Sequence, residues 1–172
     1  MANIFAIPGS LRAGSSNHSI LIHISNLLPS DVDYTIYEDL ATIPPFDPGL
    51  DNDSPPDAVI ALRRAISNAD AIIICTPEYA FGVPGQLKNA LDWLVSSSTL
   101  VNKPVALITA SLGGESAHAA MQLILGALNA NVIDKLLIQF IRSKIDGQGN
   151  VTDLATLNEL EQIVNSLSKN TY

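Results

Sequence analysis

The sequence predicts an α/β fold, a doubly wound parallel sheet of about five strands with helices on both faces. Three observations predict it. Short apolar runs of β type alternate with helical runs along the chain, the pattern left by a parallel sheet whose crossovers are helices. The run Ile72-Ile73-Ile74 is continuously apolar, as in a strand covered on both faces. Three polar, Gly-bearing loops follow the first, third and fourth strand runs. A parallel arrangement gathers them at the carboxyl edge of the sheet, where open α/β sheets bind ligands.

Each element has its own reason. Residues 3–8 read as the first buried strand. Residues 16–28 read as a helix: Ile20, Leu21, Ile24, Leu27 and Leu28 fall at helical spacing, and Pro29 stops it. Residues 33–37 alternate as a second strand. Residues 41–56, rich in Pro and Asp, form a long loop. A helix over 57–68 turns Val59, Leu62 and Ile66 inward, and 71–76 is the third strand. A helix over 84–97 carries Pro84 in its first turn, where a missing N–H does little harm. Residues 105–110 form a fourth buried strand, and 115–128 a helix after a double glycine. Residues 131–141 hold one or two short strands. Gly147 and Gly149 mark a turn or hairpin before a closing helix over 152–167, spaced by Leu154, Leu157, Leu160, Ile163 and Leu167. No repeat or linker divides the chain, so one domain over residues 1–172 is expected.

Composition limits the function. Of 172 residues, 47% are apolar and 15% charged, which favours a well-buried core over disorder. The formal net charge of -8 argues against nucleic acid or an anionic membrane surface as partner, since both need basic patches. It also means that a bound phosphate must be held by local donors. Cys75 is the single cysteine, so no internal disulfide forms, as expected of a reducing compartment. The chain does not open on a basic segment followed by a long apolar stretch, and no apolar run nears the roughly 20 residues of a membrane span. A cytoplasmic protein is expected.

The first loop, Gly9-Ser10-Leu11-Arg12-Ala13-Gly14-Ser15-Ser16-Asn17, runs from a strand into a helix. Backbone N–H groups and the positive helix end converge there, and small residues let a phosphate approach. The hydroxyls of Ser10, Ser15 and Ser16, the Asn17 amide and the Arg12 fork add suitable donors. Gly9 and Gly14 have the spacing of a nucleotide-hydrolase loop, but Ser15 stands where its lysine must be. The dinucleotide fingerprint G-x-G-x-x-G is also absent. A terminal phosphomonoester remains, against the plainer possibility of a polar turn with a helix cap. In the second loop, Thr76-Pro77-Glu78-Tyr79-Ala80-Phe81-Gly82-Val83-Pro84-Gly85, two prolines stiffen the chain and two aromatics could meet a flat ring.

Together, Gly9-Ser10-Leu11-Arg12-x-x-Ser15-x-Asn17 and Pro77-Glu78-Tyr79-x-x-x-x-Pro84-Gly85-x-Leu87-Lys88-Asn89-Ala90-x-Asp92-Trp93 closely resemble the NADPH-dependent FMN reductases. That family, of flavodoxin-like fold, includes bacterial chromate, quinone and azo-dye reductases. A weaker third element, Ser111-x-Gly113-Gly114, sits where the family places a loop against the flavin pyrimidine edge. The resemblance spans at least residues 3–128. It implies non-covalent FMN, with Ser10, Arg12, Ser15 and Asn17 at its phosphate and Ser16 nearby. It implies Pro77, Glu78, Tyr79, Ala80, Phe81 and Gly82 along the isoalloxazine ring, and Ser111, Gly113 and Gly114 at the pyrimidine side. The flavin would carry the chemistry between NADPH or NADH and a quinone, azo dye, metal oxyanion or free flavin. No catalytic side chain and no metal is then needed. Glu78, read as a ring-edge carboxylate, should tolerate Glu78→Gln without loss of folding.

The chain departs from the family at Pro8, before the phosphate loop, and at Glu115-Ser116-Ala117-His118, where an Arg- or Gln-rich helix start is common. The latter puts a carboxylate where a dinucleotide would dock, so NADH stands beside NADPH as donor. Trp93, with Leu87, Leu91 and Leu94, lies on the helix that the family buries between subunits. A homodimer or homotetramer is expected from this, with plain core packing as the alternative. Cys75 reads as an inert core thiol. His18, His23 and His118 lack a metal spacing, although His18 stands next to the phosphate loop. Asp47, Asp51, Asp53 and Asp57 read as a solvated loop. Two rival classes share these features: a flavodoxin-like electron carrier without nicotinamide activity, and a phosphate-binding regulatory protein without the cofactor.

Overall fold

A computed structural model describes residues 2–171; Met1 and Tyr172, the ends of the expected domain span, lie outside the described residues. Five strands, β1 (Asn3–Pro8), β2 (Asp33–Ile36), β3 (Ala71–Thr76), β4 (Pro104–Ala110) and β5 (Asn131–Ile138), alternate with five helices. These are α1 (Ser16–Leu27), α2 (Asp57–Asn68), α3 (Gly85–Asp92), α4 (Glu115–Ala127) and α5 (Leu154–Thr171). The strands form one sheet in the order β2-β1-β3-β4-β5, every pair parallel. This is the flavodoxin-like doubly wound order.

Burial follows the apolar pattern. All six residues of β3 are buried, and so is β4 after Pro104, because helices cover both faces of these central strands. The edge strand β2 alternates between exposed and half-buried positions. On one face, Val59, Leu62, Ile66, Leu87, Leu91, Met121 and Leu125 of α2, α3 and α4 pack on Phe5, Ile7, Ile72 and Ile74. On the other, Ile20, Leu21 and Ile24 of α1 and Leu160, Ile163 and Leu167 of α5 pack on Ile4, Ala6 and Ile73. Each such side chain contributes about 1.5–3 kcal/mol when fully buried. The result is a stiff slab from which the carboxyl-edge loops are hung.

Three elements differ from the expected spans. The third helix ends at Asp92 rather than at residue 97. Arg63 takes the Trp93 carbonyl with its Nε at 3.0 Å, and also bonds the Ser96 hydroxyl. The Ser97 N–H falls back on Leu94 O, and tight turns replace the helix. The closing helix starts at Leu154, whose side chain is 76% exposed. Its inward place is taken by Thr156, whose N–H and hydroxyl both donate to the Asp153 carboxylate, at 2.9 and 2.7 Å. Residues 131–141 hold one strand, β5, with an irregularity that skips Ile133, followed by a 3-10 turn over Ile141–Ser143.

The long loop over 41–56 is held by α3, by Trp93 just beyond its end and by Arg63 of α2. Asn89 bonds both Pro44 O and the Phe46 N–H, Trp93 Nε1 donates to Pro44 O at 2.8 Å, and Asp51 pairs with Arg63 at 2.7 Å. Trp93, Leu87, Leu91 and Leu94 are all buried within the chain itself, with Phe46 edge-on to the indole. Their burial is core packing, the alternative weighed above, and they form no surface for a second subunit.

Candidate active site

Parallel pairing brings the ends of β1, β3, β4 and β5 to one edge: Pro8 lies beside Cys75, Thr76 beside Thr109, and Ala110 beside Ile138. A cavity of about 540 Å³ opens there. Its walls are Ser10, Arg12, Ser15, Ser16 and Asn17 from the first loop and Pro77, Glu78 and Tyr79 from the second. Ala110, Ser111 and Leu112 come from the third, and Phe140, Ile141, Arg142 and Ser143 from the stretch after β5. The three loops singled out by the sequence therefore meet in one place.

The first loop is fixed by its neighbours. The Gly9 N–H donates to Cys75 O at 2.8 Å. The Ser15 hydroxyl caps α1 by accepting the His18 N–H at 3.2 Å. Asn17 is buried; its amide donates to Ala110 O and accepts from the Cys75 thiol, both at 3.3 Å, so it ties α1 to the ends of β3 and β4. Among the described residues, neither the Arg12 guanidinium nor the Ser16 hydroxyl has a hydrogen-bond partner, and both line the cavity at the positive end of α1. That donor set, with no carboxylate in the loop, suits a phosphate dianion. His18 faces a smaller cleft of about 160 Å³, which also meets Arg12 and Glu38.

The second loop closes on itself. Tyr79 and Gly82 exchange both backbone hydrogen bonds at 3.0 Å, and Ala80 and Phe81 between them have φ of 49° and 57°. This is a two-residue turn with both central residues left-handed, a conformation usually left to Asn-Gly. Holding Ala and Phe there costs about 1–3 kcal/mol each. Ala80, Phe81 and Gly82 form the tip of the turn rather than the cavity wall, and Phe81 is 85% exposed. Tyr79 leans back to the first loop, its hydroxyl 3.4 Å from Ser10 Oγ.

The third loop is braced by Glu78. Its carboxylate accepts the N–H groups of Gly114 at 3.3 Å and Ala117 at 2.9 Å, and its own N–H donates to Ser111 Oγ at 3.2 Å. Gly114, the cap residue of α4, has φ 111° and no side chain, so Glu78 supplies the missing cap from another loop. Gly113 and Gly114 do not line the cavity. A neutral amide keeps one accepting oxygen. Glu78→Gln is accordingly expected to fold and to lose about 1 kcal/mol, read as a fall of about 2–4 °C in Tm. A collapsed transition would show the brace to be indispensable.

The stretch after β5 was not among the residues singled out by the sequence. Phe140 has φ 54°, its N–H donates to Leu112 O at 3.0 Å, and the Ile141 N–H donates to Ser111 O at 3.1 Å. Arg142 follows and lines the cavity. Other polar groups stay out of the site. Burial pushes the Cys75 thiol well above its ordinary pKa, so it is protonated at neutral pH. Burial holds His118 below its ordinary value, and its Nδ1 lies 2.9 Å from Thr109 Oγ1. The Glu115 carboxylate accepts from Gln139. Among the described residues no His, Cys, Asp or Glu cluster could hold a metal ion, and no helix is long and apolar enough to cross a membrane.

Known proteins share this sequence and shape. A quinone reductase of Escherichia coli is 35% identical over 166 residues, covering 91% of this chain and 88% of its own. An NAD(P)H-dependent FMN reductase of Pseudomonas aeruginosa is 31% identical over 157 residues, covering 87% and 84%. The flavoenzyme NAD(P)H:(acceptor) oxidoreductase FerB of Paracoccus denitrificans superposes with a TM-score of 0.79 at 25% identity, over 100% of both chains. The family model described as NADPH-dependent FMN reductase matches residues 2–141, which carry all three loops. With the sheet order, the loop convergence and this match in agreement, the chain belongs to the NADPH-dependent FMN reductase family.

Proposed function

We propose that FMN lies along the carboxyl-edge cavity and that electrons pass from NADPH or NADH to a quinone. An azo dye, chromate or free flavin is an acceptor of the same kind. The observation that carries the reading is the Arg12 guanidinium and Ser16 hydroxyl, both without partners, at the start of α1 in the cavity that Tyr79 also lines. Ser10, Arg12, Ser15, Ser16 and Asn17 hold the phosphate end. Pro77, Glu78 and Tyr79 run along the ring, with Ala80, Phe81 and Gly82 at its rim. Ser111 meets the pyrimidine side, and Gly113 and Gly114 set the height of that loop.

FMN, when bound, supplies the two-electron chemistry that links the nicotinamide to the acceptor. The protein supplies placement. The loop after β1 fixes the phosphate, and the brace from Glu78 to α4 holds the second and third loops at a constant separation. Tyr79, tied to Ser10, keeps the ring seat in register with the phosphate seat. No side chain needs to act as nucleophile or base. Relatives named as quinone reductases support the acceptor class. The neutral Gln139 amide leaves Glu115 as a carboxylate beside the third loop, so NADH stands beside NADPH as donor.

The same reading makes residues 1–172 one domain, cytoplasmic, and a homodimer or homotetramer whose contact covers exposed apolar side chains such as Phe81 and Val95. One experiment tests the core of it. An absorbance scan of the purified protein should show a flavin spectrum that bleaches on addition of NADPH or NADH under nitrogen and returns with a quinone. A flavin that does not bleach points to a carrier. A colourless protein indifferent to added FMN points to a regulatory module.

A further inference from the structure

The cavity has an arginine at each end, and the proposed function uses one. Arg12 follows β1, and Arg142 sits in the 3-10 turn after β5; both line the cavity. In the sheet, β3 and β4 lie between β1 and β5. Three strand spacings separate the two exits by roughly 14 Å, so the two guanidinium groups enter the cavity from opposite sides. A mononucleotide gripped at Arg12 lays its ring across the β3 and β4 loops, so Arg142 stands beyond that ring.

Arg142 is a free charge on a fixed support. It is exposed, and among the described residues its guanidinium has no hydrogen bond or ion pair, whereas the nearby Lys144 lies 3.8 Å from Asp153. The backbone carrying it is tied down: Phe140 to Leu112 O at 3.0 Å, Ile141 to Ser111 O at 3.1 Å, and Ser143 back to Phe140 O at 2.9 Å. Ile141 anchors the turn in the core. Beside it, Phe140 and Leu112 line the same cavity while 60% and 75% exposed. Apolar plates next to a rigidly mounted guanidinium suit a planar molecule with an anionic group: the ring covers the plates and the oxygens enter the fork.

We propose that Arg142 is a specificity-determining residue that receives the anionic group of the planar reactant stacked on FMN. This rests on the placement of FMN given above. Two sources offer that chemistry, the phosphates of the nicotinamide dinucleotide and an acidic substituent on the acceptor.

The test compares the wild-type holoenzyme with Arg142→Ala and Arg142→Lys. One arm varies NADPH at a saturating neutral benzoquinone. The other varies a sulfonated and an unsulfonated naphthoquinone at saturating NADPH. Arg142→Ala is expected to raise KM for an anion-bearing reactant roughly tenfold with kcat within about twofold, and Arg142→Lys to recover part of the loss. The wild-type KM should climb with ionic strength, and that of the alanine variant should not. A rise for NADPH assigns the dinucleotide as source; a rise for the sulfonated quinone alone assigns the acceptor. Unchanged KM in both arms overturns the proposal. So does a comparable loss of FMN affinity in fluorescence titration, because Arg142 would then serve the flavin itself. A wild-type protein that takes up no FMN overturns the underlying reading as well, and the titration tells that failure apart.

Discussion

Arg12→Ala is expected to weaken FMN binding roughly ten- to a hundredfold while leaving riboflavin binding within about twofold. The two ligands differ only in the phosphate. Arg12 lines the cavity from the phosphate loop, and no carboxylate or carbonyl of the described residues competes for its guanidinium. Charge-assisted hydrogen bonds contribute about 1.5–3 kcal/mol, and each 1.4 kcal/mol is tenfold in affinity. The chain's charge of -8 sharpens the effect, because the overall field opposes the phosphate and local donors must overcome it. Fluorescence titration of the apoprotein with both ligands measures the difference. Equal losses would mean that Arg12 supports the loop rather than the phosphate. Thermal stability should stay near that of the wild type, since the side chain is exposed and its guanidinium makes no hydrogen bond or ion pair among the described residues.

The fold was readable because its central strands are monotonously apolar. Ile72-Ile73-Ile74 admits few roles other than a strand covered on both faces, and parallel pairing then dictates where the polar loops emerge. The first loop and the Pro77-Glu78-Tyr79 stretch were readable because Gly, Ser, Arg and Pro there act through backbone and charge, which sequence displays directly. What escaped the reading depends on contacts between distant residues. Glu78 looks like a free loop carboxylate until α4 is placed beside it; its two partners are 36 and 39 residues away. Arg63 cuts α3 short from 30 residues upstream by claiming one carbonyl. The wall after β5 was hidden because Phe140 and Ile141 prolong the apolar pattern of the strand. The left-handed backbone at Phe140, which ends it, has no sequence signature in an aromatic residue. Trp93 shows the opposite error: an aromatic on a motif helix invites a subunit contact, whereas the Pro44 carbonyl and the Phe46 ring bury it at home.

The convergence of the loops depends on how closely the exits of β1 and β3 approach, and Gly9 sets that distance. A Cβ built on Gly9 would lie 2.5 Å from Thr76 Oγ1 and 2.9 Å from Thr76 Cα. The second contact decides the outcome. A hydroxyl can rotate, but Thr76 is buried in β3, flanked by β4, and its backbone has nowhere to go. Gly9→Ala must therefore prise the first loop from the second and lengthen the 2.8 Å bond from Gly9 N–H to Cys75 O. Overpacking of this kind costs roughly 2–3 kcal/mol, about 4–12 °C in Tm for a chain of this size. The phosphate seat also shifts relative to the Tyr79 side of the cavity, so FMN affinity falls together with stability. This distinguishes Gly9→Ala from Arg12→Ala, which loses affinity alone. Adding Thr76→Ala to Gly9→Ala removes the hydroxyl yet leaves the Cα in place, and is expected to restore only a minor part of either loss. Full recovery in the double variant, measured by thermal unfolding and FMN titration, would show that side-chain crowding, and not the spacing of the two strands, determines the geometry of the site.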